Sequence, residues 1–408
     1  MSVASLKDYH AGKRKEIGII IGIDASRNRS GGAKAHLLGM LKNGDPLVYG
    51  IQKVHVWSYV NLLDALPNAS WLIKHNPPEL EQSIVHQMWW QYRSLPKEAR
   101  SYGCEILLNT DAGSVCPFEP AVVMSRDMLS YEPGEMKRFG LSKARLRLWL
   151  LRFIQSRSMK NAIGVIFLTN YAARVIQKTT GTIGHYTVIP HGVGDNFRQS
   201  SLRRNWPDDS KRKIRLLYVS NASMYKHQWN VVKAIGRIRR KGFNVSLLLI
   251  GGGKGRAQQL LEKEISITDP KHEFVELESF VDHERIPEFL AQADVFIFAS
   301  SCENMPITLL EAMASGLPIA CSDRGPMPEV LQDGGVYFDP ENPESISKAV
   351  EKIITDKELR ISIARQAKEI SQQYSWARCS DQTWRFLSEC VTNTRQFINK
   401  TEQMALKI

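Results

Sequence analysis

The 408-residue sequence is poor in cysteine and has no long apolar run. Its six cysteines are scattered, without a Cys-x-x-Cys pair or a histidine at the spacing of a zinc site. We therefore expect reduced structural thiols, as in cytoplasmic proteins. The longest apolar stretch near the start of the chain, 17–23, is far shorter than the ~20 residues that span a bilayer. The sequence thus predicts a cytoplasmic protein without a membrane-spanning segment.

Negative charge is also in short supply, because the net charge is +12. Such an excess favours an anionic partner, which could be nucleic acid, a lipid headgroup or a phosphorylated small molecule. Residues 136–160 contain eight Lys or Arg and no acid, interleaved with apolar residues that include Trp149 and Phe153. This composition is typical of a helix on an anionic membrane surface, but also of a core helix with a solvated basic face. A nucleic-acid partner is not expected, because the cluster has no recognisable reading motif.

Apolar runs of strand length alternate with helical patterns in both halves of the chain. This alternation predicts an α/β protein with two doubly wound parallel sheets. A charged, aperiodic stretch at 200–213 is interpreted as the linker between an N-terminal domain (1–199) and a C-terminal domain (214–375). The helical segment 376–408 is expected to cross back to the N-terminal domain. A substrate is most often held in the cleft that two such domains form.

The stretch CENMPITLLEAMASG, 302–316, places two carboxylates around a helix start. Glu303 falls in the loop after a buried strand, and Glu311 lies inside a helix with Pro306 near its first turn. Free amides at a helix N-terminus bind phosphates, and ionised carboxylates accept hydrogen bonds from the hydroxyls of a ribose or a sugar. The spacing therefore fits a nucleotide sugar. Spacing alone equally fits an acid favoured by the helix dipole and a second Glu that faces solvent.

The Glu303-x7-Glu311 pattern and the following AMASGLPIACSDRGPMPEV closely resemble the signature of family 4 glycosyltransferases, which are retaining enzymes of the GT-B fold. The resemblance continues through IPHGV, LLYVSNASMYKH and LLLIGGG, so it is most specific in the C-terminal half. In the N-terminal half it depends on Gly31, Gly32 and the order of strands and helices. It implies two Rossmann-like domains that face a central cleft, with the acceptor on the N-terminal domain and the donor on the C-terminal domain.

The resemblance implies a role for each residue at a matching position. Glu311 would hold the donor ribose, Glu303 the donor sugar and Lys226 the phosphates. The remaining donor-binding positions are Gly31, Gly32, Ser220, Asn221, Gly251, Gly252, Asn304, Met305, Pro306 and Ile307. Because Pro306 has no N–H, the amides of Met305 and Ile307 are the better donors in that loop.

The sequence departs from the family in two places. Ser220 and Asn221 stand where the family has a Gly-Arg pair, so either Asn221 contributes a neutral hydrogen bond or another cation, such as Arg324, reaches the phosphates. In the N-terminal domain Arg126 and Asp127 stand where many members have a histidine. We therefore take Glu303, Lys226 and Arg126 as the catalytic candidates.

The chain has no Asp-x-Asp motif, so we expect neither a bridging metal nor a cofactor beyond the nucleotide sugar itself. The expected activity is a retaining, metal-independent transfer of a hexose from a UDP- or GDP-hexose to a glycan or lipid-linked glycan. Such a reaction belongs to cell-surface polysaccharide or lipopolysaccharide biosynthesis, at the cytoplasmic membrane face if 136–160 docks there. The alternatives are a non-catalytic GT-B scaffold and a sugar-nucleotide epimerase.

Overall fold

The computed structural model describes residues 18–29, 31–198, 206 and 212–405, and it contains two parallel sheets. The N-terminal sheet has seven strands in the order β3-β2-β1-β4-β5-β6-β7. These strands are β1 (Ile19–Asp24), β2 (Ile51–Trp57), β3 (Leu72–His75), β4 (Ile106–Asn109), β5 (Ala121–Met124), β6 (Gly164–Phe167) and β7 (Tyr186–Val188). Its helices are α1 (Gly31–Lys42), α2 (Val60–Leu63), α3 (Ile84–Arg93), α4 (Leu95–Ser101), α5 (Lys143–Asn161) and α6 (Asn170–Thr180).

The C-terminal sheet has six strands in the order β10-β9-β8-β11-β12-β13. These strands are β8 (Ile214–Val219), β9 (Val245–Ile250), β10 (Val275–Glu278), β11 (Val295–Phe298), β12 (Ile319–Ser322) and β13 (Val336–Phe338). The helices that follow are α7 (Gln228–Arg240), α8 (Arg256–Thr268), α9 (Ile286–Gln292), α10 (Ile307–Ala314), α11 (Met327–Leu331), α12 (Pro343–Thr355), α13 (Lys357–Ser371) and α14 (Trp376–Ala405). Short 3-10 turns lie at Pro46–Tyr49, Pro78–Glu81, Glu135–Phe139, Asp195–Phe197 and His283–Arg285.

Helices cover both faces of each sheet, which explains the composition of the central strands. Every residue of β4, β5, β6, β11 and β12 is buried. Strands buried on both faces are continuous apolar runs rather than alternating ones, and parallel pairing needs helical crossovers. The predicted α/β architecture with two doubly wound sheets is confirmed, and it is the GT-B arrangement.

In each sheet the strand order reverses beside the first strand, between β1 and β4 and between β8 and β11. Loops after the carboxyl ends of neighbouring strands diverge at such a point and leave a crevice. The two crevices face each other across the cleft between the domains. The strand order therefore decides which loops can contribute to a common site.

The chain connects the two domains at two crossings. One is the segment after β7, where Val193 N–H donates to Tyr374 O at 3.2 Å, and the other is the turn that leads into α14. Gly192 is required at this contact, because a Cβ there would lie 2.2 Å from the backbone nitrogen of Trp376. Most of the predicted linker at 200–213 lies outside the described residues, but the Trp206 ring stacks 3.6 Å from the Arg360 guanidinium.

Helix α14 lies against the N-terminal domain from its start to Arg395. Ser380 Oγ donates to Met40 O at 2.7 Å, and Arg395 makes an ion pair with Glu105 at 2.6 Å. Trp384 of α14 also packs edge-to-face against Trp71 of the N-terminal domain, with the ring centroids 6.2 Å apart.

The interpretation of 136–160 as one helix is wrong in its first part. A 3-10 turn at Glu135–Phe139 ends at Gly140, whose φ of 54° is in the left-handed region. Helix α5 begins only after Ser142, which caps it by accepting from Arg145 N–H.

Candidate active site

A cavity of about 290 Å³ lies in the cleft between the two sheets. It is lined by residues from the loops after β1, β4, β5, β6 and β11, together with the start of α1 and the segment after β7. The lining residues are Arg27, Gly32, Ala33, Asp111, Arg126, Asp127, Leu168, His191, Glu303, Asn304 and Met305. This volume is sufficient for a small polar ligand, and the lining is rich in charged groups.

On the C-terminal side, Glu311 is buried inside α10 and is not the solvent-facing Glu of the alternative interpretation. His283 Nε2 lies 2.6 Å from Glu311 Oε1, whereas Glu311 Oε2 is buried without a partner among the described residues. Burial raises the pKa of Glu311, and the hydrogen bond to Glu311 raises the pKa of His283. An orphaned carboxylate oxygen of this kind is available to a ligand hydroxyl.

Glu303 and Lys226 meet in the structure, as their roles on one donor would require. Lys226 Nζ makes an ion pair with Glu303 Oε1, and both side chains are largely buried. The Lys226 ammonium also lies 5.3 Å from the centre of the Tyr225 ring and 5.5 Å from that of Phe298. The structure therefore brings the predicted sugar-binding carboxylate and the predicted phosphate-binding cation into one pair.

The loop between Glu303 and α10 is held by contacts with the N-terminal domain. Asn304 O accepts from Thr169 Oγ1 at 3.0 Å, and Asn304 Nδ2 donates to Ser125 O at 3.2 Å. Met305 Sδ lies 3.1 Å from the amide nitrogen of His191. Pro306 is the N-cap of α10, and the first intrahelical bond there runs from Leu310 N–H to Pro306 O. The amides that precede Leu310 in α10, from Ile307 onward, therefore lack acceptors inside the helix.

The other C-terminal positions lie in the loops after β8 and β9. Ser220 is buried, whereas Asn221 is exposed and donates to Ser223 Oγ at 3.3 Å. The amides of Gly251 and Gly252 are already used, because they donate to Glu278 O and Ser279 O at 2.8 and 2.7 Å. These two glycines can therefore offer a ligand close approach but not an amide.

Arg324 does not line the cavity around Glu303. Its guanidinium makes ion pairs with Asp323 and Asp339, both at 3.2 Å. It lines a separate cavity of about 760 Å³. The suggestion that Arg324 replaces the arginine missing at Asn221 therefore has no support from this geometry.

On the N-terminal side, Gly31 and Gly32 open α1, and Gly31 has a φ of 59° that favours glycine. A Cβ on Gly32 would lie 3.2 Å from Ile307 Cδ1, so α1 starts directly opposite the start of α10. Arg126 faces the same cavity, and its Nη2 donates to Asn28 Oδ1 at 3.0 Å. The structure thus places Gly32 and Arg126 of the N-terminal domain in one cavity with Glu303, Asn304 and Met305 of the C-terminal domain. The other predicted positions do not line this cavity; they are Gly31, Ser220, Asn221, Lys226, Gly251, Gly252, Pro306, Ile307 and Glu311.

Arg27 belongs to this site but was not found by the sequence analysis. Its Nε and the Nε and Nη1 atoms of Arg126 are buried without hydrogen-bond partners among the described residues. Asp111 Oδ2 is 3.7 Å from Arg126 Nη2, which is a long contact. The only sequence signal for Arg27 was its place just after the first strand, where parallel sheets bind ligands.

Two buried histidines lie beside the cavity at the crossing between the domains. The Nδ1 atoms of His36 and His191 are 2.7 Å apart, and both rings pack against Trp376. Burial lowers the pKa of His36 to about 3 and also lowers that of His191, and nearby Arg126 adds to both shifts. Both rings are therefore neutral at pH 7 and act as packed hydrogen-bonding groups.

Polar contacts hold the cleft in a closed arrangement. Both carboxylate oxygens of Glu329 accept from the N-terminus of α6, from the amides of Asn170 and Tyr171 at 2.7 Å each. Arg138 makes an ion pair with Glu341 across the cleft at 2.6 Å. Because these contacts join helices and loops of the two domains, they hold the two sides of the cleft together.

Helix α5 and its neighbour α3 form a second notable surface, which we call the α3–α5 face. Only Gln155 and Met159 of α5 are buried, whereas Trp149 and Phe153 are 53% and 63% exposed. On α3, Val85 is 69% exposed and Trp89 61%. The remaining exposed apolar residues of the two helices are Leu146, Leu150, Ile84, Met88 and Tyr92.

The α3–α5 face is basic. Tyr92 of α3 and Phe153 of α5 line the same cavity of about 420 Å³, together with the loop 114–119. The helices carry seven Lys or Arg and no Asp or Glu. Among the described residues, none of the helices has the length and apolar character that a bilayer crossing needs.

Within the described residues, His, Cys, Asp and Glu side chains form no group of three or more that could hold a metal ion. The metal independence inferred from the sequence stays a prediction, because charged groups and substrate phosphates can together bind a metal.

The cleft, the two switch points and the two parallel sheets define a protein of the GT-B fold. Residues 201–370 match the family model described as "Glycosyl transferases group 1". An uncharacterized glycosyltransferase of Methanocaldococcus jannaschii is 29% identical over 46% of this chain and 46% of its own length. The O-antigen chain mannosyltransferase B of Escherichia coli is 32% identical over 26% of this chain and 27% of its own length.

These curated relatives are matched over about half of their length or less. Among solved structures, the Anabaena protein HepE in complex with UDP superimposes with a TM-score of 0.67 at 18% identity, over 91% of this chain and 100% of that one. At this identity the likeness shows the shared fold.

Proposed function

We propose that the protein is a retaining, metal-independent glycosyltransferase that moves a hexose from a nucleotide diphosphate sugar to a glycan acceptor. The observation that carries this proposal is the buried Glu311, whose Oε2 has no partner among the described residues. Glu311 lies on α10, whose first amides lack acceptors inside the helix. The match of 201–370 to glycosyl transferases group 1 and the UDP bound to HepE support the donor class. A UDP- or a GDP-hexose fits these features equally.

Each part of the donor has a counterpart in the site. The ribose hydroxyls donate to Glu311, and the diphosphate lies on the amides at the start of α10, where the helix dipole favours negative charge. The sugar hydroxyls donate to Glu303 while Lys226 turns from Glu303 toward the phosphates. The acceptor enters from the N-terminal side and attacks from the face that the diphosphate leaves, so the departing phosphate oxygen takes the acceptor proton and the anomeric configuration is retained.

The test is a thermal-shift panel of UDP, GDP and ADP sugars with EDTA present, on the wild type and on Glu311→Ala. One nucleotide class should stabilise the wild type, by about 2.7 kcal/mol at one hundred times the Kd, and should not stabilise the variant. Glu288→Ala, an exposed carboxylate on α9, is the matched control and should behave as the wild type.

Activity assays with the nucleotide sugar found in this panel then distinguish the proposal from its alternatives. NMR of the product should show the anomeric configuration of the donor, and turnover should require an acceptor. Turnover of the sugar nucleotide without acceptor would instead establish an epimerase. A protein that binds no sugar nucleotide would be a GT-B scaffold.

We also propose that the acceptor is lipid-linked and that the protein acts at the cytoplasmic face of a membrane, as in cell-surface polysaccharide or lipopolysaccharide biosynthesis. The α3–α5 face supports this, because aromatic and basic side chains on one surface bind the interface of anionic bilayers. Helix α5 also lies next to the site. Gly113, which is close to Asp111 of the cavity, packs against Leu151 of α5, because a Cβ on Gly113 would lie 3.2 Å from Leu151 Cδ1.

Vesicle flotation tests the docking. Anionic vesicles should bind the wild type at least about tenfold better than neutral ones, and Trp149→Ser with Phe153→Ser should remove most of the difference. Ile267→Ser on α8 removes an equally exposed apolar side chain of the other domain and should have no effect. Equal binding to neutral and anionic vesicles would refute the docking without affecting the donor site.

A further inference from the structure

The charges on the C-terminal side of the site do not suffice for a diphosphate leaving group. Lys226 is the cation that side brings to the site, and it is already paired with Glu303. Asn221 is neutral, and Arg324 is held by Asp323 and Asp339 in another cavity. A pair of Lys226 and Glu303 has no net charge, whereas breaking the glycosidic bond leaves the diphosphate with an additional negative charge. Any further donors to the phosphates, beyond Lys226 and the α10 amides, would come from the opposite wall of the cavity.

Two cations on the opposite wall have unused hydrogen-bonding capacity. Three guanidinium nitrogens of Arg27 and Arg126 are buried and unpartnered among the described residues. The Arg126 side chain is only 10% exposed, and its Nη2 is fixed by Asn28, which leaves Nε and Nη1 for another partner. Buried donors without acceptors are uncommon in folded proteins, and they indicate a site that a ligand completes.

The position of these cations selects the diphosphate as the ligand. Arg27 and Arg126 share a cavity with Gly32 and Met305. Met305 precedes the start of α10, and Gly32 lies directly opposite Ile307, the first residue of that helix. A diphosphate on the α10 amides would therefore lie between the helix start and the two guanidinium groups. Asp111 and Asp127 also line this cavity, but Asp111 Oδ2 lies 3.7 Å from Arg126 Nη2, which is too long for a hydrogen bond. These acids offset the net charge of the two arginines and leave their unpartnered N–H donors available.

We propose that Arg27 and Arg126 reach across the cleft and bind the leaving diphosphate, so that the N-terminal domain supplies the cations that the donor domain lacks. This inference rests on the proposed function. In the step itself the bond from the anomeric carbon to the phosphate oxygen breaks and its electron pair stays on that oxygen. The acceptor oxygen forms the new bond to the anomeric carbon, and its proton moves to the phosphate.

The arrangement makes catalysis depend on closure of the cleft. The donor domain alone binds the ribose and the sugar, but the two guanidinium groups contact the phosphates only when the domains meet. An open enzyme would therefore hold the donor without activating it, which protects the nucleotide sugar from hydrolysis before an acceptor arrives.

Kinetics of Arg27→Ala test the proposal. The variant should lose about 30- to 300-fold in kcat with an acceptor KM within about threefold of the wild type, because the lost donors act on the developing charge. Arg27→Lys should recover part of the loss. Arg29→Ala is the matched control in the same loop, since Arg29 donates to Tyr59 Oη and Leu80 O instead, and it should retain most of the activity.

Binding of products gives a second readout that a merely structural role would not move. The diphosphate of the nucleoside found in the donor panel should bind Arg27→Ala and Arg126→Gln at least about tenfold more weakly, and the monophosphate should bind equally well to all forms. Thermal midpoints within a few degrees of the wild type establish that the variants fold.

Three results would overturn the inference. An acceptor KM that rises while kcat is unchanged would make Arg27 an acceptor-binding residue. Equal loss of diphosphate and monophosphate affinity would mean that the arginines only hold the cleft together. Full activity of Arg27→Ala and Arg126→Gln would exclude both from the reaction while leaving the proposed function intact, whereas a wild type that transfers no sugar refutes the proposed function as well.

Discussion

The two walls of the cleft are built on the same kind of parallel sheet, yet they present their charges in different ways. On the C-terminal wall the charged groups pair with each other, Lys226 with Glu303 and His283 with Glu311. On the N-terminal wall Arg27 and Arg126 keep buried N–H groups without partners among the described residues. The unpartnered groups therefore differ in kind: on the C-terminal wall the group is a carboxylate oxygen, Glu311 Oε2, whereas on the N-terminal wall the groups are guanidinium donors.

The largest effect is expected from breaking the ion pair of Lys226 and Glu303 on the C-terminal wall. Lys226→Met leaves the Glu303 carboxylate largely buried and uncompensated, so unfolding should need about 3 kcal/mol less free energy and transfer should slow by about two orders of magnitude. Adding Glu303→Gln should restore most of the stability but not the activity. Urea denaturation and initial rates measure the two quantities.

Arg285→Met provides the comparison, since Arg285 pairs with Glu288 at 3.8 Å and both side chains are more than half exposed. It should cost less than about 1 kcal/mol. If the changes in the free energy of unfolding caused by Lys226→Met and Glu303→Gln were additive in the double variant, the two side chains would not interact in solution. The C-terminal wall would then have no such pair, and it would not differ from the N-terminal wall in this respect.

A smaller effect is expected from acid, through the histidines behind the N-terminal wall. The unfolded chain protonates His36 below about pH 6.5, whereas the folded chain does so only near its lowered pKa of about 3. Stability therefore falls as the pH drops from 6.5 toward 3, by about 2 kcal/mol at pH 5 for this residue. His36→Gln should reduce the difference between pH 7 and pH 5 by that amount in urea denaturation.

The exposed His86 on α3 is the control for the substitution itself, and His86→Gln should leave the free energy of unfolding at pH 7 unchanged. An identical pH dependence for the wild type and His36→Gln would mean that His36 is not buried and neutral in the folded protein.

The smallest effect should come from the contact that brings the walls together. Glu329→Gln removes the charge that the N-terminus of α6 stabilises, which is worth about 1 kcal/mol. The closed form should become about fivefold less populated relative to the open form, and small-angle scattering would detect a larger mean radius of gyration. Glu288→Gln, away from the interface, should leave the scattering curve unchanged; an unchanged curve for Glu329→Gln would remove that carboxylate from the closing contacts.

The C-terminal wall was predictable because its signals are contiguous. Glu303, the helix start and Glu311 all lie within 302–311, and the flanking strands are unbroken apolar runs. A short segment fixes its own local geometry, so a pattern in the sequence translates directly into a site. The burial of Glu311 and its partner His283 could not be predicted in this way, because they depend on a loop 28 residues earlier.

The N-terminal wall was less predictable because its residues come from loops after different strands. Arg27, Asp111 and Arg126 follow β1, β4 and β5, and only the strand order makes them neighbours. Strand β2 escaped recognition as well, since its apolar pattern is interrupted by Gln52, Lys53 and His55. For helix α5 the sequence left a membrane-surface helix and a core helix as alternatives, and only the structure shows that most of its apolar side chains face solvent.

The double crossing between the domains constrains the direction in which they can move. A single connecting segment would allow the C-terminal domain to rotate about that segment. Two adjacent connecting segments, hydrogen-bonded between Val193 and Tyr374, resist this rotation. Bending is the motion that remains, about an axis through Gly192 and Ser375. The domains should therefore open by a hinge motion about Gly192, and the gap between them should widen with distance from His191. In such a motion the α10 amides move directly away from Arg27 and Arg126.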